Sequence, residues 1–395
     1  MNNSTYNEQI KELEEIKKKY DLETIIEFYK TGMLKEKSSE KKPYDMYYVN
    51  REWTDGDYPI KESLVGYNSE TKKKDILLTA YYNEPSQQDD LSICEIVKSS
   101  NALWICQKRE SAGVYEIVKM DVEGKNEEKI AEIKAYDTCE MWANDSNVYL
   151  LAGSYKIGTQ HLYQINSNRE IFDFGVMDFH YDRAKITDDY FCIFDTSSES
   201  KVLLIRNDTE IVEEYPVVLE QAGGILGSGG GKIIAQGLYR GNPAYIKCME
   251  RVRHGENPIL YVLNIEDNSW EEIVLPNGSY FSYDTASGRN IFSFVEGEKD
   301  QLLIETKCGA LPQLRDKNIE ILLLDLVTGE QKLLFSGKAS ETTKNLIYYH
   351  KGFLYWESKS EDKYLVMQTD CITGKNCMIE KGNKHEWMRI ASYTC

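Results

Sequence analysis

The stretch FLYWESKSEDKYLVMQTDCITGKNCMI, residues 353–379, sets the reading of the rest of the chain. Phe353-Leu354-Tyr355-Trp356 is an apolar, aromatic run, and Tyr364-Leu365-Val366-Met367 is a second. Cys377-Met378-Ile379 follows the polar turn Thr373-Gly374-Lys375-Asn376 as a third, and another apolar run, 344–349, comes before all of them. Short β-favouring runs broken by Gly, Asn, Asp and Ser are the mark of strands joined by tight turns. Four strands in a unit of about 50 residues is the arithmetic of a β-propeller blade.

Moving outward, the last hairpin of this unit recurs along the chain. Leu64-Val65-Gly66-Tyr67 pairs with Asp75-Ile76-Leu77-Leu78, and Val114-Tyr115-Glu116-Ile117 with Glu128-Lys129-Ile130. The pattern returns at 161–165 with 170–172, 202–205 with 210–212, 260–263 with 270–273, and 321–324 with 332–334. With 364–367 and 377–379 this makes seven copies. Strands such as 148–151 and 191–194 precede the hairpins, and a further run, 176–182, is read as an innermost strand. A blade cannot bury both its faces alone, and stacking blades around an axis solves this with only short edges. The expected fold is therefore all-β, a seven-bladed propeller, with six or eight blades as the neighbouring counts. A β-sandwich with a second domain is disfavoured because sandwiches do not repeat one hairpin seven times. The first hairpin lacks an innermost strand, whereas the C-terminal run Glu386–Ser392 is strand-like and has no hairpin after it. That run is expected to return to blade 1 and close the ring.

The repeat Phe353-Leu354-Tyr355-Trp356-Glu357, Lys363–Met367 and Thr373-Gly374-Lys375 resembles the YWTD propellers of lipoprotein-receptor-like proteins and the uncharacterised bacterial propellers related to them. The resemblance spans residues 44–395 as a pattern, although the tetrapeptide itself is absent and the family has six blades. It implies a propeller with a binding role and brings no catalytic residues.

Residues 1–34 read as a helical extension. Ile10, Leu13, Ile16 and Tyr20 recur every three or four residues, and Asp21 is placed to cap a second helix ending at Gly32. Residues 35–43 form a polar linker, and the propeller occupies 44–395. The N-terminus shows no apolar signal core, and no run of 18 apolar residues occurs, so a cytoplasmic chain is expected. The net charge of −18 argues against nucleic acid and anionic membranes as partners. Tyrosine, at 28 residues, dominates the aromatics, as suits half-buried strand positions with a wet phenol tip. The nine cysteines show no paired zinc spacing and read as reduced thiols, with Cys371 and Cys377 placed to face each other across a hairpin.

Few motifs carry chemistry. Gly223–Gly231 is glycine-rich but lacks the Walker lysine and a following helix, so crowding near the axis is its simplest reading. Asp178, His180 and Asp182 alternate, and on one strand they would face the same way. Such a row suits acid–base chemistry or a divalent cation, and equally a solvated channel wall. Asp188-Asp189 and Asp55-Gly56-Asp57 read as turns. GxSxG is absent, and no metal or cofactor is expected.

Three stretches, 239–257, 296–318 and 50–58, read as long loops on one rim. The first is basic in an acidic chain. Arg240, Lys247, Arg251 and Arg253, with Tyr245, His254 and Trp53 nearby, form an expected contact surface for a protein, a peptide or a small anionic ligand. The leading expectation is thus a non-catalytic binding propeller. The alternative is a carbohydrate-active hydrolase or lyase with its site at the central channel.

Overall fold

In the quoted repeat, Asp370 ends one strand, and its carboxylate accepts the backbone N–H groups of Ile372 (2.8 Å) and Thr373 (3.2 Å). Asp325 does the same for Val327 and Thr328. Asp121 accepts from Glu123 and Lys125, and Asn166 and Asn264 repeat the device. An Asp or Asn at this point satisfies turn N–H groups that a strand cannot, which is why the outer hairpin recurs so regularly. Those N–H groups hold the Asp325 and Asp370 carboxyls below the ordinary range, foremost that of Thr328 for Asp325 and that of Ile372 for Asp370.

The computed structural model describes residues 44–53, 59–69, 71–81, 91–154, 159–177, 181–195, 201–207, 209, 211–217, 231–249, 258–275, 288–295, 300–308, 318–338, 342–350, 352–360, 363–383, 389–390 and 392–393. The chain divides into two compact units, Met1–Pro43 and Tyr44–Cys395, and the expected helices and linker lie outside the described residues.

Residues from 44 onward form a seven-bladed all-β propeller. Blade 1 contains β1 (Met46–Trp53), β2 (Pro59–Tyr67) and β3 (Lys74–Tyr81). Blade 2 is β4 (Leu91–Lys98), β5 (Ala102–Arg109), β6 (Val114–Asp121) and β7 (Glu128–Lys134). Blade 3 is β8 (Thr138–Ala143), β9 (Val148–Ser154), β10 (Thr159–Ile165) and β11 (Ile171–Met177). Blade 4 is β12 (Tyr181–Ile186), β13 (Tyr190–Asp195), β14 (Lys201–Arg206) and β15 (Val212–Pro216). Blade 5 is β16 (Gly231–Tyr239), β17 (Asn242–Met249), β18 (Ile259–Asn264) and β19 (Ser269–Val274). Blade 6 is β20 (Gly288–Phe294), β21 (Gln301–Cys308), β22 (Asn318–Asp325) and β23 (Gln331–Lys338). Blade 7 is β24 (Thr342–His350), β25 (Phe353–Ser360), β26 (Lys363–Asp370) and β27 (Asn376–Asn383).

The C-terminal strand closes the ring where it was expected. β28 (Arg389–Ile390) pairs antiparallel with β1, with Ile390 opposite Tyr48, and becomes the innermost strand of blade 1. β29 (Ser392–Tyr393) then runs parallel to β4 of blade 2, so the chain end ties two blades together. The run 176–182 is not one strand: Val176 and Met177 end β11, and β12 begins at Tyr181. Cys377 sits opposite Gln368, not Cys371, and neither thiol is in a disulfide, so the expected facing pair does not form.

The core lies between blades. Seven apolar clusters among the described residues each span one blade interface. Strand alternation feeds them: Tyr47 and Val49 pack toward blade 2, and Met46 and Tyr48 toward blade 7. Most interfaces also carry an aromatic donor, sent from the second strand of one blade to a turn of the next. Tyr47 Oη donates to the Val122 carbonyl (2.7 Å), Trp104 Nε1 to that of Asn144 (2.9 Å), and Tyr149 Oη to Asn207 Oδ1 (3.0 Å). Tyr190 Oη donates to the Gly241 carbonyl, and Tyr355 meets Ser69 across the closing interface.

That closing interface is the most polar of those described. Glu380 accepts from Tyr48 Oη (2.8 Å) and Lys74 Nζ (2.7 Å), and Gln368 bridges Lys72 (3.0 Å) and Tyr355 (3.1 Å). Burial alone would raise the Glu380 carboxyl, but Lys74 and Tyr48 outweigh it and hold it below the ordinary range. A depressed carboxyl stabilises the fold above its unfolded value, about 4.3, and that contribution disappears as pH falls through the folded value. Urea unfolding is therefore expected to show Tyr48→Phe losing about 1.5–3 kcal/mol at pH 7. Between pH 6 and 3, Glu380→Gln should show a shallower loss of stability than wild type.

Candidate functional site

Antiparallel strands alternate direction, so every innermost strand starts at the same end of the ring. The longest connections, 82–90, 217–230, 250–258, 275–287 and 309–317, all leave from that end. The opposite end carries tight turns such as 187–189, 240–241 and 265–268.

At the first end the innermost strands share a feature. Arg183 of β12 stands opposite Phe194, Lys232 of β16 opposite Cys248, and Arg289 of β20 opposite Lys307. In each case the partner is the next-to-last residue of the blade's second strand, so three consecutive blades place a cation toward the end from which the long connections leave. Lys344 is the third residue of β24, and Arg389 opens β28. The innermost strands of blades 2 and 3 begin Leu91-Ser92-Ile93 and Thr138-Cys139-Glu140, without a cation. Arg183, Lys232, Arg289 and Lys344 set four cationic positions toward one mouth of a chain whose net charge is −18, whereas Arg389 stands opposite Val49, midway along β1. Acidic positions lie toward that mouth too, Asp182 on β12 and Glu140 on β8. Clustered cations attract anionic ligands. These four cations were not among the sequence candidates, and stepping two strands back from the outer hairpins of blades 4 to 7 would have found them.

Asp182 is the second residue of β12 and lies at this same mouth. Tyr181 pairs with Asp195 and Arg183 with Phe194, which leaves Asp182 as the extra residue of a β-bulge. Bulges interrupt the inner strands of blades 2 and 5 as well, at Cys94 and Ile234. Bulges near strand ends re-aim chains at functional sites. Asp178 and His180 lie outside the described residues, between β11 and β12. Asp188 and Asp189 occupy a turn, with Thr187 Oγ1 accepting from the N–H groups of Asp189 (3.2 Å) and Tyr190 (3.1 Å).

Beside this mouth, Glu62 of β2 is buried against Arg51 of β1 (2.7 Å) and accepts from the Ile93 N–H of β4. Arg51 also donates to the Ile93 carbonyl (3.1 Å). Burial pushes the Glu62 carboxyl up, and Arg51 offsets only part of the shift. This pair fixes the inner strand of blade 2 just before its bulge.

The expected contact surface is dismantled by the strand pattern. Arg240-Gly241 is a two-residue hairpin turn with φ of 53° and 83°, and Asn242–Met249 is strand β17, not loop. A turn with positive φ at both central residues matches the twist of the flanking strands. Arg240 grips Asp300 of the next blade through two hydrogen bonds (2.8 and 3.1 Å), so its charge is taken up within the ring. Tyr245 and Lys247 are buried in β17, and Tyr245 stacks on Tyr261 at 4.8 Å. Arg251, Arg253 and His254 lie outside the described residues. Trp53 ends β1 opposite Pro59. Likewise, Asn50–Trp53 of the stretch 50–58 and Gln301–Cys308 of the stretch 296–318 belong to strands.

A cleft of about 720 Å³ lies at the tight-turn end between blades 4 and 5, beside Asp189, Asn207 and Glu266. Its two arginines are engaged, Arg206 by Glu213 (3.1 Å) and Arg240 by Asp300. Gly223–Gly230 fall outside the described residues. The crowding expected there is seen instead at Gly237 of β16, where a Cβ would stand 2.8 Å from the Phe294 ring of blade 6. Among the described residues, no group of three or more His, Cys, Asp or Glu is arranged to hold a metal ion. No helix among them is long and apolar enough to cross a membrane.

No protein-family model and no curated protein matches the sequence, so the YWTD likeness finds no support beyond the propeller fold. Solved structures do match. A Bacteroides uniformis protein described as a candidate 6-phosphogluconolactonase superposes with a TM-score of 0.51 at 11% identity, over 88% of this chain and 100% of that one. A prolyl endopeptidase superposes with a TM-score of 0.50 at 13% identity, over 88% of this chain and 50% of that one. A periplasmic gluconolactonase of Pseudomonas aeruginosa is 9% identical, with a TM-score of 0.49 over 88% and 99%. At such identities the likeness is one of fold. The non-catalytic binding rim is nonetheless withdrawn, because among its described residues Tyr245 and Lys247 are buried in β17 and Arg240 is taken up by Asp300.

With Tyr245 in the core, Tyr245→Ala is expected to cost about 3–5 kcal/mol in denaturant unfolding, as for other large aromatic deletions. A variant of unchanged stability would return Tyr245 to the surface.

Proposed function

We propose that the propeller is a hydrolase that acts on an anionic carbohydrate derivative, a sugar lactone, at the axial mouth from which the long connections leave. The observation that carries this reading is the placement of Arg183, Lys232, Arg289 and Lys344 toward that one mouth of an otherwise acidic protein. Arginine and lysine bind phosphate and carboxylate groups. The fold likeness to a protein described as a candidate 6-phosphogluconolactonase supports the choice of a lactone.

In this reading the Asp182 carboxylate is the general base. It takes a proton from water as the water oxygen attacks the lactone carbonyl. The ring C–O bond then breaks, the ring oxygen leaves as a hydroxyl after gaining a proton, and the product is the open acid. General-base carboxylates contribute roughly 10²–10⁴-fold to such steps.

Hydrolysis of a panel of charged and uncharged sugar lactones, measured against the spontaneous rate, tests this. Asp182→Asn should lower kcat by at least about 10²-fold. Lys232→Glu and Arg289→Glu should raise KM for the charged lactone and leave an uncharged one unaffected. Absence of turnover on every lactone, or equal KM shifts for both kinds, would remove the proposal.

A further inference from the structure

Three of the nine cysteines meet at the interface of blades 2 and 3, whose innermost strands begin without a cation. Cys94 is the bulge residue of β4, Cys106 lies on β5, and Cys139 is the second residue of β8 in the next blade. The bulge sets Ile93 opposite Gln107 and Glu95 opposite Cys106, so β5 presents Cys106 toward blade 3. The Cys106 and Cys139 sulfurs stand 3.8 Å apart inside the apolar cluster that joins blades 2 and 3. Cys94 and Cys139 also interact. None of the three is in a disulfide.

We propose that Cys106 and Cys139 are an oxidation-sensitive staple that links blade 2 covalently to blade 3. The bond itself is about 2.0 Å, so the sulfurs need to close by less than 2 Å, a movement that side-chain rotation supplies. Cys139 is half-buried and Cys106 fully buried, which assigns their order. A peroxide meets Cys139 first. The Cys139 sulfur attacks a peroxide oxygen, the O–O bond breaks, and a sulfenic acid forms as the oxidant is reduced by two electrons and leaves as water or an alcohol. The Cys106 sulfur then attacks the Cys139 sulfur, the S–O bond breaks, and the hydroxyl departs as water with the Cys106 proton.

The surroundings fit a dormant pair. Contact with Cys106 pushes the Cys139 thiol up, and contact with Cys139 followed by burial pushes Cys94 up, so both remain thiols in the absence of oxidant. A raised thiol is a slow nucleophile, so the step needs excess peroxide and time. The Cys106–Cys139 link would close a loop in the unfolded chain and so resist opening of the interface.

Tryptic digestion separates the three cysteines onto peptides 75–98, 99–108 and 135–156. The reduced full-length protein would be treated with hydrogen peroxide, quenched, alkylated, digested and analysed by mass spectrometry. The expected product joins 99–108 to 135–156, vanishes with dithiothreitol and is missing in Cys106→Ser. Oxidised wild type should also melt a few degrees above its reduced form. Recovery of Cys106 and Cys139 on separate peptides, or a link to 135–156 through Cys94 alone, would overturn the assignment. The wild-type digest decides this by itself, so a poorly folding Cys106→Ser variant would not leave the question open.

Discussion

A four-stranded blade has two apolar faces and no interior, and everything else in this structure follows from having to cover both. Along β1, Met46 and Tyr48 turn to one neighbour, and Tyr47 and Val49 to the other. Each strand therefore serves two cores at once, and no core is complete within one blade. Such a structure has no stable open form, because the first and last blades would expose one face each. The two residues of β28 matter for that reason: they complete blade 1 from the far end of the sequence and let the seventh interface form.

The same constraint explains the tyrosines. A ring buried between blades needs a large apolar body, and its hydroxyl needs a partner at the interface edge. Tyr47, Tyr149 and Tyr190 meet both needs, with the ring in the shared core and the hydroxyl on a turn of the next blade. Trp104 does so through its indole N–H. At the closing interface the solution is more ionic, through Glu380, Lys74 and Tyr48, which makes ring closure the part of the fold most exposed to acid.

Because blades meet face to face, the edges of their innermost strands surround the axis, and residues far apart in sequence come together. Arg183, Lys232 and Arg289 come from three blades to the same end of the ring. Tight turns at the other end spend their charges within the ring, as Arg240 does on Asp300. Chemistry is thereby concentrated at the end where the connections are long and the innermost strands begin.

The sequence by itself determined the blade repeat, the count of seven and the return of the C-terminus, because these rest on local signals. Alternation makes the strands, an Asp or Asn closes each outer turn, and a strand without a hairpin must find one. It misjudged residues 239–257, because a strand such as Asn242–Met249, which mixes Asn, Pro and Lys with apolar residues and follows an Arg-Gly turn, carries no alternating polar face to mark it. Buried on both sides, such a strand looks like any mixed segment. Only the tertiary structure decided which cations stand on innermost strands, which aspartate takes a bulge position, and which thiols touch across blades. Those depend on the register between strands and on stacking between blades, which are set by long-range burial and leave no periodic trace in the chain.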